Sequence, residues 1–164
     1  QPGEYEVVEL NAETPSYYSR LNNSKLLDRL HDALCRHLAK KGAEEDRRIA
    51  TEVLQEYGCL TLDSDIMRSK LYALLLQAYT ILDETSKRES QLVAIQKMLP
   101  AVRAEHSRAL LLVTLYGCTD NRFYYDQAHA LIDPWLAEES PKKSKAQLIR
   151  HLADFDRQFG HGGE

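Results

Sequence analysis

Residues 71–100, LYALLLQAYTILDETSKRESQLVAIQKMLP, and residues 108–137, RALLLVTLYGCTDNRFYYDQAHALIDPWLA, match at an offset of 37. Leu74 pairs with Leu111, Leu75 with Leu112, Tyr79 with Tyr116, Asp83 with Asp120, Ile95 with Ile132 and Leu99 with Leu136. A repeat of this length marks stacked helical hairpins. One hairpin cannot bury its own apolar face, so a neighbour must cover it.

Helical periodicity extends outward from this pair in both directions. Leu26, Leu27, Leu30, Leu34 and Leu38 form one stripe that ends at Gly42, and Ile49, Val53, Leu54 and Tyr57 form a second that ends at Gly58. A third helix, capped by Asp63 or Ser64, carries Ile66, Met67, Leu71, Leu74, Leu75, Ala78, Tyr79 and Leu82. It is apolar on most sides and is predicted to be central. Ser86 and Glu89 have the spacing of a capping box for a fourth helix with Leu92, Val93, Ile95 and Leu99. Pro100 suits the first turn of a fifth, again apolar nearly all round from Ala109 to Tyr116. Asp120 or Asn121 opens a sixth, with a kink expected at Pro134. Ser144 and Gln147 precede a last helix bearing Ile149, Leu152, Phe155 and Phe159. The prediction is an all-α fold of about seven helices, arranged as antiparallel hairpins in a two-layer stack. Residues 1–22 read as an extended arm or tether, 23–159 as one helical domain and 160–164 as a disordered tail. In the arm, Val7, Val8 and Leu10 suit one short strand-like contact.

Residues 72–100 resemble a degenerate tetratricopeptide unit. Tyr72, Leu75 and Tyr79 fall where that family places a large residue, a Leu and an aromatic, and Leu92 and Pro100 fit its second helix and its closing Pro. Leu76 and Arg88 depart from it, standing where the family has small residues. Residues 109–137 keep Leu112 and Tyr116 and shift the rest. The resemblance spans residues 66–140 and implies a concave, peptide-binding scaffold. By the repeat offset, Arg68, Tyr72, Arg108 and Tyr124 would bound its groove, with Tyr124 as the exposed aromatic anchor.

Other chemistry is sparse. A formal net charge of −4 and a pI near 5.9 exclude a general nucleic-acid binder, which needs a basic stripe. No apolar run is long enough to span a membrane. Gly-x-Ser-x-Gly, phosphate-loop and calcium-loop patterns are all missing from the sequence. An enzyme is not expected, and no cofactor is implied. His31 and Cys35, four apart, share a helix face, while His37 points elsewhere. Two ligands do not close a metal site, so none is assigned. Cys59 and Cys118 recur in Tyr-Gly-Cys tripeptides whose glycines suit left-handed helix ends. A bond between them is not expected, because they would end helices of opposite direction. Lys142, Lys143 and Lys145 form a basic knot before the last helix. Cations are mildly unfavourable at a helix N-terminus, so the knot is either a solvated turn or a place for an acidic partner.

The chain starts at Gln1 with a polar leader. Together with the scaffold, this suggests a non-enzymatic protein- or peptide-binding adaptor of the bacterial cell envelope, periplasmic or lipid-tethered upstream of Gln1. The alternatives are a cytosolic regulatory or sensing domain of a signalling or transcription protein, and a helical metal-dependent enzyme.

Overall fold

The computed structural model describes residues 19–161, so the expectations for residues 1–18 and 162–164 lie outside the described residues. From Ser24 onward, seven α-helices follow one another among the described residues: α1 Ser24–Leu38, α2 Glu44–Tyr57, α3 Asp65–Ile81, α4 Thr85–Met98, α5 Glu105–Thr119, α6 Arg122–Ile132 and α7 Lys143–Phe159. Short 3₁₀ turns at Leu99–Ala101 and Asp133–Ala137 close α4 and α6. Among the described residues there is no strand. Residues 19–21 are helical and Leu21 is buried, so the expected arm gives way before residue 22.

The odd-numbered helices form a closed inner ring. α1 packs on α3, α3 on α5, α5 on α7 and α7 back on α1. Contacts near both ends show that these neighbours run parallel. Between α1 and α7, Gln147 bonds the Ser24 carbonyl, His151 bonds Asp28, and His31 bonds Asp154, each pair 123 residues apart. Between α5 and α7, His106 meets Ser144 near the starts and Tyr116 meets Asp156 near the ends. Lys70 meets Asn22 just before α1, and His37 meets Asp83 at the ends of α1 and α3. The even-numbered helices return outside: α2 covers α1 and α3, α4 covers α3, and α6 covers α5 and α7. Side-by-side parallel dipoles repel, and the outer helices running the other way offset that repulsion.

This explains why α3 and α5 are apolar all round. Leu71, Leu76, Leu111 and Leu115 are fully buried, whereas α4 buries only Leu92 and Ile95. The polar residues trapped in the inner helices satisfy themselves locally. Ser69, Gln77, Thr80 and Thr114 each donate to a carbonyl one turn back, at 2.7–3.2 Å.

The repeat has a clear structural meaning. Asp83 and Asp120 both take left-handed backbone angles, with φ of 55° and 54°, and both stop an inner helix. Lys40, with φ of 59°, does the same after α1. Gly58 and Gly117 do not, contrary to expectation. Gly58 has φ of −60°, and Gly117 lies inside α5 because the helix runs on to Thr119. Ser64 and Asn121 cap α3 and α6 as read, accepting from the amides of Met67 and Phe123. Ser86 and Ser144 lie within their helices rather than capping them. Pro100 sits in the turn after α4, and Pro134 is the second residue of a 3₁₀ turn that follows the end of α6, so neither acts as expected.

At the C-terminal end of the ring, His129 lies between Asp133 and Asp156, at 2.8 and 2.7 Å. Burial lowers its pKa, but the two carboxylates outweigh burial and raise it overall. A raised folded value means that the stabilisation is full below the unfolded value, about 6.5, and fades as pH rises through the folded one. His129→Gln should remove less than about 1 kcal/mol at pH 6, because the ring is partly exposed, and almost nothing at pH 9. Urea titrations at the two pH values check this. An equal loss at both would refute the charge-based account.

Candidate functional site

The four residues expected to bound a groove do not assemble one. Tyr124 is buried, and its hydroxyl accepts a 2.7 Å bond from Gln96 of α4, so it ties α6 to α4. Its neighbour Phe123 is the exposed aromatic, at 61% exposure, since adjacent helical positions cannot both face inward. Arg108 donates to the carbonyls of Leu99 and Val102 and fastens the α4–α5 connection. Arg68 binds Asp65 on its own turn and the Leu62 carbonyl just before α3. Tyr72 is half-buried against the core. The physical reason is ring closure: α1 meeting α7 consumes the inner face that an open stack would leave concave.

The functional candidate is instead the N-terminal mouth of the ring. Four parallel helices begin around it, and their positive dipole ends share one side of the molecule. A cavity of about 540 Å³ opens there. Leu21, Leu27, Leu74 and Leu110 supply apolar walls, and the polar lining includes Lys70, His106, Lys143 and Arg150 together with the single acid Asp28. α1 and α7 carry no acidic residue in their first turns, and α5 and α7 have no side-chain cap. Of these three, α7 alone lacks both, so its leading amides remain available to an anion, whereas Asn23 caps α1 and Glu105 stands in the first turn of α5. Arg150 is neutralised by Asp28 at 2.6 Å. Among the described residues, Lys70 is held by the neutral Asn22 amide, and burial lowers its pKa. His106 is lowered too, by burial first and by the Lys70 charge as well, so it is neutral near pH 7. Lys143 has no ion-pair partner among the described residues. Its neighbour Lys145 is paired with Glu138 and lies over the Trp135 ring. The basic knot was thus the one sequence signal for this mouth, and only Lys143 of the three lines it.

Below the mouth, α1 and α7 are laced by a reciprocal network. Asp28 and His31 on α1 face His151 and Asp154 on α7, each imidazole bonded at 2.8 Å to the carboxylate opposite. The two rings stack at 3.7 Å with planes 6° apart. Burial holds both pKa values below the ordinary range, and for His151 the adjacent His31 adds to it. Two neutral rings stack without charge repulsion, while the carboxylates stay outside, near Arg150 and Arg157. The two short motifs, Asp-x-x-His and His-x-x-Asp, are 120 residues apart in the chain, and neither is distinctive alone.

His31 and Cys35 do share a face, with Sγ 3.6 Å from Nε2, and His37 points away towards Asp83. The third neighbour is Asp154, which spacing along one helix could not reveal. Burial, with help from Asp154 and Asp32, pushes the Cys35 thiol up to about 12, so it is no nucleophile at neutral pH. All three cysteines are free; Cys59 is exposed and Cys118 is buried.

No family model matches the sequence, and no curated protein does. Among solved structures, the fold matches the crystal structure of UpxZ, a transcription anti-terminator antagonist from Bacteroides uniformis, with a TM-score of 0.56. The match covers 80% of this chain and 92% of that one, at 21% identity. At that identity it is the fold that is shared. This match overturns the envelope adaptor expected from the leader: UpxZ, a solved protein that shares this fold, is a transcription anti-terminator antagonist. Among the described residues, no helix is long and apolar enough to cross a membrane.

Proposed function

We propose that this chain is a regulatory protein of transcription, and that it acts by holding an acidic, partly apolar segment of a transcription factor in the mouth of its helical ring. The fold likeness to an anti-terminator antagonist supports the class of function. The observation that carries the site is the conjunction, in one cavity, of leucine walls with the side chains of Lys70 and Lys143. An apolar floor supplies affinity, and cations at converging helix starts select a negative partner.

The test is a read-through reporter in the native host. A terminator is placed ahead of the reporter, and its read-through is made dependent on an anti-termination factor from the same genome. Raising the level of this chain should lower read-through. A Lys70→Glu, Lys143→Glu variant should lose at least about tenfold of that potency, since reversing charges beside a buried anion costs several kcal/mol. Unchanged read-through at every expression level would sink the regulatory reading. Equal potency of the folded variant would sink the mouth as its site.

A further inference from the structure

We propose that His31, Cys35 and Asp154 form a binding site for a divalent transition-metal ion of the zinc type, on the seam between α1 and α7. Their ligand atoms all lie within 4.8 Å of one another. His31 Nε2 is 2.8 Å from Asp154 Oδ2 and 3.6 Å from Cys35 Sγ. Tetrahedral bonds of about 2.0–2.3 Å separate neighbouring ligands by about 3–4 Å. Shifts of a few tenths of an ångström up to about 1 Å would bring all three to those distances. One nitrogen, one sulfur and one oxygen suit zinc and its neighbours, and not magnesium or calcium, which take oxygen.

The register builds the site. His31 and Cys35 lie one turn apart on α1, and the parallel packing of α7 lays Asp154 across from them. Asp154 is already oriented: Arg157 holds Oδ1, while Oδ2 is turned to His31 at 2.8 Å and takes a longer contact of 3.4 Å from Arg150. His31 Nδ1 is buried with no hydrogen-bond partner, so the ring proton resides on Nε2, against Asp154. When a metal takes Nε2, that proton moves to Nδ1, and the Cys35 thiol proton leaves to solvent. A dication with one thiolate and one carboxylate is a neutral centre, which suits a half-buried position. Cys35 and Asp154 also line a cavity of about 360 Å³ with Asp32, Arg36, Arg157 and Gln158, and the remaining coordination position would lie on that side. Three protein ligands and one open position make this a site that binds metal while leaving it accessible.

The experiment uses the full, tag-free chain, reduced and stripped of metal. Cobalt(II) is added as the probe. The expected result is a near-ultraviolet thiolate-to-cobalt charge-transfer band that zinc abolishes by displacement, and that Cys35→Ser lacks. Asp154→Asn should weaken cobalt binding at least about tenfold, and His37→Ala should not change it. Zinc should also raise the melting temperature of the wild type and not that of Cys35→Ser. Circular dichroism verifies folding; if Cys35→Ser does not fold, Asp154→Asn decides by the same tenfold criterion. Lack of a thiolate band, or a band that persists in Cys35→Ser through Cys59, overturns the proposal.

Discussion

Replacing Phe155 by alanine is expected to lower the unfolding free energy by about 4 kcal/mol, near the upper end for a buried aromatic. Phe155 is 1% exposed and stands where three inner helices meet. Its ring packs edge-on against His31 of α1 at 4.8 Å and against Tyr116 of α5 at 6.2 Å. Gly117 gives it room. A Cβ built on Gly117 would lie 2.2–2.7 Å from three carbons of the Phe155 ring, far inside van der Waals contact. Gly117→Ala therefore gains about 1 kcal/mol of helix propensity and still destabilises, because the clash with a locked ring costs about 2–3 kcal/mol. The double variant Gly117→Ala, Phe155→Leu should lose less than the sum of the single changes, because the smaller side chain vacates the space the methyl needs. Urea unfolding monitored by circular dichroism measures all of these. If Gly117→Ala proves as stable as the wild type, the packing account of this glycine is wrong.

Asp156→Ala should cost about 3 kcal/mol, for a different reason. The carboxylate is 8% exposed; it accepts the Tyr116 hydroxyl at 2.8 Å and His129 Nε2 at 2.7 Å. Tyr116 is fully buried, so its hydroxyl would be left with no partner and no water. Tyr116→Phe removes donor and hydroxyl together and should cost only about 1 kcal/mol. If the two changes cost the same, the penalty comes from lost packing and not from an orphaned hydroxyl.

The sequence was most readable where one helix carries its own evidence. All-round apolarity placed α3 and α5 at the centre, and the shared Asp83 and Asp120 turned out to be left-handed helix stops. It was least readable where two distant helices complete each other. Asp28 and His151, or His31 and Asp154, show no local pattern, and only the parallel docking of α7 makes them partners. Tyr124 and Phe123 illustrate a finer limit. Both are aromatic and adjacent, and the one that faces in meets a partner 28 residues earlier, Gln96, which no local pattern announces. Gly117 misled for the same reason. A glycine near the end of an apolar run suggests a stop, yet here it is a hollow for a ring supplied by another helix. The groove bounded by Arg68, Tyr72, Arg108 and Tyr124 failed because a stack imagined as open is closed.

That closure also bears on how the chain acquires its structure as it is made. The seam joins residues 123 positions apart, so α1 lacks its final neighbour until nearly the whole domain has been synthesised. Until then α1 packs against α2 and α3, with its Asp28 and His31 side, which meets α7, uncovered. Contacts of such sequence separation slow the final step and expose sticky intermediates. A ribosome stalled before α7 would therefore carry a chain with helices but without a settled interior. The last helix acts as the latch, and the mouth, to which it contributes Lys143, comes into being only when the latch engages.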